Sequence, residues 1–535
     1  MFWADKIATQ LKKSSKPQLV DDAKTPSGRI HVGALRGVII HDLVHKALQN
    51  EGVPSRYTYI IDDQDPMDSL PVYLPKEKYD QFMGVPLKNI PAPTFEDEKV
   101  IRQGPTLNSD EGRTFKANSY AEYYAYEFIE VFNRLGANPE IIWASDLYIK
   151  HTIDKYLKLA LDNAEKIQKI YEKVSGSARP KDFIPFQPIC ESCGKIGTTV
   201  ANKWDGEFVY YDCVSDKVEW AKGCGHSGKV SPFGGTGKLP WRVEWPAKWA
   251  ALGVTVEGEG KDHASKGGSR DTANAIAREI FDYEPPYDIP YEHFLLGGKK
   301  MSSSKGVGFS AAEVGEILPS EILRFLMVRP RPMQHIEFDP ELEHTIPKLF
   351  DDFDIARQSP GGDLKRIYEF SAVDAPKSYF VPRFRDLVNL LQITQYDSDR
   401  LVKKAEELKG SKLSEEDKQA LEDRVKYVKI YLEAFAPENI KFSVKESLPL
   451  ETENLSDNQK KLLKEITGKL SEDTDPEKLQ NDIYQLGKEL GLSSAEAFEA
   501  IYASLLGKRF GPKAAWLVLS LDKEFVKKRF EEVAK

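Results

Sequence analysis

Alternation of helical and strand-like patterns over the first 170 residues constrains the fold of this chain more than any other feature. In the segment LRGVIIHDLVHKALQNEG, apolar side chains recur at helical spacing at Leu35, Ile39, Leu43 and Ala47. Gly52 ends that pattern, and a β-rich run at residues 56–61 follows at once, closing with the acidic turn DDQDP. A second helical segment, SYAEYYAYEFIEVFNRLG, leads into a short apolar run at residues 141–143. Helices that alternate with strands predict an open, parallel α/β sheet.

The α/β pattern stops near residue 170 and resumes at residue 237, where the strand-like runs ALGVTV and YEHFLL occur. Beyond about Asp339 almost all of the sequence has a helical pattern, with predicted capping boxes at Ser414 with Asp417 and at Thr474 with Glu477. We therefore predict two halves of an α/β core around an insertion, then a connecting region and a helical tail. The predicted boundaries are residues 1–170, 171–236, 237–310, 311–375 and 376–535.

The composition excludes several classes of protein. With 535 residues, 30% of them charged, the chain has ample material for several domains. No run approaches the roughly 18 to 20 apolar residues of a membrane span, and the first residues contain no apolar core of a secretory signal. We expect a cytoplasmic protein without a membrane partner. The net charge of −9 argues against indiscriminate nucleic-acid binding, although a local basic surface is sufficient for a specific nucleic-acid partner.

The segment TPSGRIHVGALRG, residues 25–37, has the pattern of a phosphate-binding turn. A short strand-like run, QLV, precedes it, and the helix described above begins within it. Gly28 and Gly33 permit close approach of the backbone to a ligand, and the free N–H groups of a helix N-terminus favour an anion. His31 is placed to donate a hydrogen bond to phosphate. The alternative is an ordinary βα turn with a surface histidine.

A second candidate phosphate-binding segment is GGKKMSSSKG, residues 297–306, directly after the strand-like YEHFLL. Lysines interleave with serines and glycines flank the run, so the loop is cationic and able to close over a polyphosphate. Its alternative interpretation is a flexible basic linker.

The four cysteines all lie in the insertion, and their pattern predicts a zinc site. Cys190 and Cys193 form a CxxC knuckle, and Cys224 contributes a third sulfur. The fourth ligand is either Cys213, which we favour, or His226. Four ligands leave no position for a reactive water, so the predicted metal is structural.

Together, PSGxxHxG and the KMSSS run that begins 269 positions after His31 resemble the HIGH and KMSKS signatures of class I aminoacyl-tRNA synthetases. The block GKLPWRVEWPAKWAALGVTVEGEGKDH resembles the class I lysyl-tRNA synthetases in particular, and LLGKRFGPKAAWLVLSLD resembles their helical anticodon-binding domain. The resemblance implies a Rossmann-like parallel-sheet catalytic core, a zinc-binding insertion that contacts the tRNA acceptor stem, and an all-helical C-terminal anticodon-binding domain.

The resemblance also implies functional positions. The amino-acid pocket would contain Thr25, Trp241, His263 and Tyr291. The ε-ammonium of lysine needs a carboxylate in a desolvated pocket, and the residues themselves, rather than the resemblance, suggest Asp62, Asp63 and Asp65, which stand at a strand end facing the same crevice. We favour Asp62, and the alternative for all three is a helix cap or a solvated turn. ATP would be bound by Pro26, Gly28, His31, Gly260, Asp262, Lys300, Ser303 and Lys305. The catalytic residues would be His31, Gly33, Lys300 and Ser302.

The expected reaction is ATP-dependent formation of lysyl-adenylate with Mg²⁺, followed by transfer of the lysyl group to the lysine-accepting tRNA, by a monomer. One alternative is another specificity in the class, glutamate foremost, which would need a basic residue in the pocket. A second is a catalytically silent tRNA-binding paralogue, encouraged by Ala34, which replaces the last histidine of HIGH. Two further departures are Ser303 for the second lysine of KMSKS and Ala23 where the family often has glycine.

Overall fold

The computed structural model describes residues 1–98, 116–300, 308–374, 378–470 and 474–535, except for the side chains of Lys299 and Lys300. It divides into two compact units. The first comprises Met1–Phe338 and Ala356–Pro376, and the second comprises Asp339–Ile355 and Lys377–Lys535.

The described strands all lie in the first unit. In chain order they are β1 (Gln18–Lys24), β2 (Ser55–Ile61), β3 (Glu140–Trp143), β4 (Gln187–Pro188), β5 (Thr199–Trp204), β6 (Val209–Cys213), β7 (Ser227–Val230), β8 (Gly237–Lys238), β9 (Val256–Gly260), β10 (Tyr287–Tyr291), β11 (Phe294–Leu296), β12 (Lys299–Lys300) and β13 (Ile336–Glu337).

Helices alternate with these strands. They are α1 (Trp3–Lys12), α2 (Leu35–Asn50), α3 (Lys76–Tyr79), α4 (Tyr120–Arg134), α5 (Ala144–Ile149), α6 (Asp154–Asp162), α7 (Ala164–Ser175), α8 (Trp241–Leu252), α9 (Ser269–Phe281), α10 (Ala311–Ile317), α11 (Ser320–Val328), α12 (Thr345–Gln358) and α13 (Gly362–Ser371).

The second unit contains only helices and irregular segments within its described residues. The helices are α14 (Phe384–Ile393), α15 (Ser398–Lys409), α16 (Glu415–Ala434), α17 (Asp457–Thr467), α18 (Pro476–Glu489), α19 (Ser494–Leu506), α20 (Ala514–Ser520) and α21 (Lys523–Val533), and residues 345–355 of α12 also belong to this unit. A continuous apolar core joins α17 to α21.

A five-stranded parallel sheet forms the centre of the first unit, in the order β10-β9-β1-β2-β3. β1 and β2 pair along seven residues, whereas β1 and β9 share only the register pair Val20 and Val256. The chain order of the strands reverses between β1 and β9, and in open α/β sheets ligands bind at the carboxyl ends of the strands beside such a switch point. The predicted fold class, a Rossmann-like parallel sheet with a helical C-terminal part, is confirmed.

The insertion follows α7 and contains a three-stranded antiparallel sheet, β5-β6-β7. A pair of short strands, β4 and β8, closes its base, because Gln187 pairs with Lys238 and Pro188 with Gly237. The two ends of the insertion therefore lie side by side, where the chain passes from the first half of the parallel sheet to the second.

Two local predictions were wrong. The run ALGVTV was predicted as a strand, but its first two residues end α8 and β9 begins only at Val256, after Gly253 adopts a left-handed conformation with φ of +80°. The helix cap predicted at Thr474 lies at Asp475, whose side chain accepts a 2.8 Å hydrogen bond from the N–H of Lys478. The predicted box at Ser414 and Asp417 is confirmed.

Candidate active site

A cavity of about 680 Å³ opens where β1 and β9 separate. Its walls come from the carboxyl ends of β1, β2, β9 and β10, the turn after β1, and one face of α8. A cavity at this point of an open parallel sheet is the expected ligand site of the fold.

Ten of the candidate site residues singled out from the sequence line this cavity: Thr25, His31, Gly33, Asp62, Asp65, Trp241, Gly260, Asp262, His263 and Tyr291. Pro26 and Gly28 lie in the same turn as Thr25, between β1 and α2. Lys300 belongs to β12, but its side chain is not described. The predicted residues Ser302, Ser303 and Lys305 fall outside the described residues.

Close packing shapes the turn that carries the first motif. Gly28 has φ of +156°, and a Cβ at this position would lie 2.8 Å from the hydroxyl oxygen of Tyr73. That hydroxyl oxygen accepts a 2.6 Å hydrogen bond from the backbone N–H of Arg29. A short 3₁₀ turn, Val32–Ala34, leads directly into α2, and the N–H of Leu35, the first residue of the helix, donates to carbonyl oxygens of that turn.

One face of α8 supplies aromatic and charged side chains to the cavity, since Trp241, Trp245 and Lys248 recur at helical spacing. Trp241 is 46% exposed, and its ring lies edge-on to that of His263 with 5.7 Å between centroids. Burial and the nearby Asp22 carboxylate raise the pKa of Tyr291 well above its usual value, so its hydroxyl keeps its proton.

Two buried lysines bind several of the acidic side chains. Lys248 forms an ion pair with Asp62 and a second of 3.1 Å with Glu244, and Lys238 pairs with Asp65 and, at 2.8 Å, with Glu244. Because both ammonium groups face Glu244, its pKa falls to about 2 despite complete burial. The four ion pairs form one connected cluster along one wall of the cavity.

The three aspartates proposed from the sequence differ in their surroundings. Asp62 is paired with Lys248, and Asp65 accepts a 2.6 Å hydrogen bond from the hydroxyl of Thr25 in addition to its pairing with Lys238. Asp63 does not line the cavity, and its carboxylate accepts hydrogen bonds from the backbone N–H and the hydroxyl of Ser145, at 2.9 and 2.6 Å.

Acidic groups dominate the described lining of the cavity, which has nine carboxylates, three lysines and no arginine. The carboxylates are Asp21, Asp22, Asp62, Asp65, Asp68, Glu244, Glu257, Glu259 and Asp262, and the lysines are Lys24, Lys238 and Lys248. Burial raises the pKa of Glu257 to about 7 and that of Glu259 to about 9, although Arg270 opposes both shifts. Such a lining favours a cationic ligand over an anionic one.

The sequence analysis missed several of these groups: Asp21, Asp22, Lys238, Glu244, Lys248, Glu257 and Glu259. A signal was present in WRVEWPAKW, where a glutamate and a lysine four residues apart stand among tryptophans on a helix. Charged residues at such positions are buried only when they are paired.

The four cysteines converge at the base of β5-β6-β7. Their sulfur atoms all lie within 4.8 Å of one another, with 3.7 Å between Cys190 and Cys224 and between Cys193 and Cys213. Four sulfurs around a metal at about 2.3 Å in a tetrahedron would be separated by about 3.8 Å. The geometry therefore suits a metal ion, and all four thiols are free of disulfide bonds.

Family models match both parts of the chain. The model described as tRNA synthetases class I (K) matches residues 1–102 and 112–371, and the model described as anticodon binding domain matches residues 391–534. The parallel-sheet fold and this match are those of a class I synthetase, which is a ligase. Since the first model spans more than half of the sequence, the chain belongs to the class I (K) tRNA synthetase family.

Curated relatives align along the full length. A protein of Methanosarcina barkeri (strain Fusaro) named lysine–tRNA ligase is 38% identical over 100% of this chain and 98% of the relative. One of Archaeoglobus fulgidus with the same name is 36% identical over 99% of each chain. A crystal structure of glutamate-tRNA synthetase from Elizabethkingia anophelis covers 97% of this chain and 100% of its own, at 13% identity and a TM-score of 0.40.

None of the helices in the described ranges combines the length and apolar character that a membrane crossing demands.

Proposed function

We propose that this protein attaches lysine to its cognate tRNA with ATP, through a lysyl-adenylate intermediate. The observation that carries the proposal is the acidic cavity at the switch point, in a chain whose full-length relatives are named lysine–tRNA ligase. A glutamate substrate would place a second carboxylate in a cavity whose described lining already has nine carboxylates against three lysines. The lining therefore favours lysine.

We assign the amino-acid pocket to Thr25, Asp62, Trp241, His263 and Tyr291. Trp241 offers an aromatic face to the aliphatic stem and to a cation, because its indole is half exposed to the cavity. The neutral phenol of Tyr291 and the imidazole of His263 would hold the polar end of the amino acid.

We assign ATP to the other side of the cavity, around the turn after β1 and the end of β9. Pro26, Gly28, His31 and Gly33 would surround the phosphates, and Gly260 and Asp262 would bind the ribose. Lys300, Ser302, Ser303 and Lys305 would add further contacts to the phosphates.

The chemistry would need positioning and charge stabilisation but no covalent enzyme intermediate. A carboxylate oxygen of lysine attacks the α-phosphorus of ATP, and the bond from that phosphorus to the bridging oxygen breaks to release pyrophosphate. His31 would stabilise the charge on the pentavalent phosphorus. A ribose hydroxyl of the terminal adenosine of tRNA then attacks the lysyl carbonyl and AMP leaves. Mg²⁺, which prefers oxygen ligands and phosphates, would neutralise phosphate charge, and the carboxylate-rich lining suits that cation.

We propose Zn²⁺ at the four cysteines. Thiolate sulfur is the ligand that zinc accepts in closed structural sites, and the sulfur separations match a tetrahedron. The ion would hold the start of the insertion to β6 and β7. We propose further that residues 171–236 contact the acceptor stem of the tRNA and that residues 376–535 bind its anticodon. The protein would act as a monomer in the cytoplasm.

An ATP–pyrophosphate exchange assay with tRNA present throughout tests the activation step. We expect exchange with lysine and none with glutamate. Exchange with glutamate alone would overturn the specificity, and no exchange with any amino acid, despite measurable ATP binding, would indicate a catalytically silent tRNA-binding protein.

A further inference from the structure

The acidic residue best placed to recognise the substrate's side chain lies inside β1. We infer that Asp21 is the carboxylate that binds the ε-ammonium of lysine, and that Lys238 and Lys248 hold the neighbouring carboxylates in ion pairs so that the pocket accepts a single cation. The inference rests on the proposed function and names its specificity-determining residue.

The surroundings of Asp21 show an acid that lacks a charged partner. It lines the cavity while only 1% of its surface is exposed, and one carboxylate oxygen accepts a hydrogen bond from the hydroxyl of Thr58 on β2. Among the described residues it forms no ion pair. A buried carboxylate costs free energy unless a cation or hydrogen bonds compensate it. Accordingly, burial and then the charge of Glu257 raise the pKa of Asp21 well above its usual value.

The neighbouring acids in the same wall are already engaged. A ligand ammonium at Asp62 would have to compete with the buried Lys248, and one at Asp65 would have to compete with Lys238. Glu244 forms ion pairs with both lysines and also accepts a 2.6 Å hydrogen bond from the hydroxyl of Tyr148.

The remaining acids of β1 and β9 are occupied too. Glu257 accepts hydrogen bonds from the indole N–H groups of Trp245, at 2.8 Å, and Trp249. Glu259 pairs with Arg270 at 3.2 Å, and Asp22 lies on the other face of β1, 3.5 Å from the imidazole of His41.

The strand geometry fits a lysine molecule. Asp21 and Ala23 project to the same face of β1, and Thr25 follows directly after the strand. Four residues of extended chain span about 13 Å, room for a lysine whose polar end lies near Thr25 and whose ammonium reaches Asp21. The small side chain of Ala23 lies between them, where the four methylene groups would pass.

Substitutions at three aspartates test the assignment, with aminoacylation kinetics for lysine and inhibition by 6-hydroxynorleucine, which has a neutral hydroxyl in place of the ammonium. For D21N we expect the KM for lysine to rise about 100-fold, while inhibition by the neutral analogue and the KM for ATP change less than threefold. D62N should weaken lysine and the analogue alike, because it frees the buried Lys248. D63N is the matched control, because Asp63 is buried but does not line the cavity, and it should keep the wild-type discrimination between lysine and the analogue.

Either of two results would overturn the inference. The first is a wild-type KM for lysine in D21N, and the second is loss of discrimination in D63N or D62N instead of D21N. D21S serves as the second variant if D21N does not fold, with the same expected loss of discrimination. A wild-type protein that does not charge lysine at all refutes the proposed function itself, a different outcome from the failure of Asp21.

Discussion

The imidazole Nε2 of His41 accepts a 2.7 Å hydrogen bond from the backbone N–H of Gly258. The other ring nitrogen, Nδ1, lies 2.8 Å from the carbonyl oxygen of Gly37 one helical turn earlier and donates to it. This pair of bonds ties α2, which follows the phosphate-binding turn, to β9, which ends at the proposed ribose-binding residues.

Replacing His41 by leucine removes both bonds and leaves the N–H of Gly258 without its partner. We expect the free energy of unfolding to fall by about 2 to 3 kcal/mol and the KM for ATP to rise. Urea unfolding and initial-rate kinetics measure the two effects. His45→Leu, on the same helix but half-buried, is the control and should cost about 1 kcal/mol or less. Equal losses in the two variants would refute the special role of His41.

Gly28→Ala tests the close packing of the turn. The new Cβ would meet the Tyr73 hydroxyl at 2.8 Å, so either the turn or the bond from Arg29 must shift. We expect a loss of about 1 to 3 kcal/mol in stability together with a higher KM for ATP. Gly52→Ala also has positive φ but meets nothing within 4 Å, and should leave the KM for ATP unaltered. A normal KM for ATP in G28A would show that the turn does not shape the ATP site.

The ion-pair cluster predicts a pH dependence of stability. The pKa of Glu244 is lowered to about 2 by Lys238 and Lys248, so its contribution is present above pH 4.5 and disappears as the pH falls toward 2. At pH 7 we expect Glu244→Gln to be less stable than wild type. When the pH falls from 4.5 toward 2, the free energy of unfolding should drop less in the variant than in wild type, by up to about 3 kcal/mol. Denaturant unfolding at several pH values measures this.

The matched control for Glu244 is Glu292→Gln, because Glu292 is 21% exposed and its ion-pair partner Lys261 is 45% exposed, whereas Glu244 is buried. It should change stability by about 1 kcal/mol or less at every pH. If the free energy of unfolding had the same pH dependence in wild type and E244Q, the ion pairs of Glu244 with Lys238 and Lys248 would not contribute as proposed.

Metal analysis tests the cysteine site. We expect one zinc per chain in the purified protein and its loss in both C193S and C213S, with a lower melting temperature in each. His226→Ala should retain the metal, because His226 lies outside the group of four sulfurs. Retention of zinc in C213S with loss in H226A would make His226 the fourth ligand.

The features of the fold that follow from periodicity could be predicted from the sequence. The apolar stripe of α2, its end before Gly52 and the β-rich run that became β2 all depend on local patterns, and the structure confirms them. The cap at Asp475 was missed by one residue because Thr474 and Asp475 are both good capping residues and only the backbone conformation decides between them.

The acids of the cavity could not be predicted in the same way. The strand before the first motif was limited to QLV, but β1 continues through Asp21 and Asp22 to Lys24. Two acids in a central parallel strand contradict its usual apolar pattern, and the groups that they face, Thr58 on β2 and His41 on α2, lie far from them in the sequence. The pairing of Lys248 with Asp62 likewise joins residues 186 positions apart, which no local pattern encodes.

The central claim is the attachment of lysine to tRNA, and charging of total tRNA with each labelled amino acid tests it most directly. With ATP and Mg²⁺ present, we predict acid-precipitable label from lysine alone, and sequencing of the charged fraction should recover lysine-accepting tRNA. Charging with glutamate instead, or no charging by a protein that binds ATP, would contradict the account.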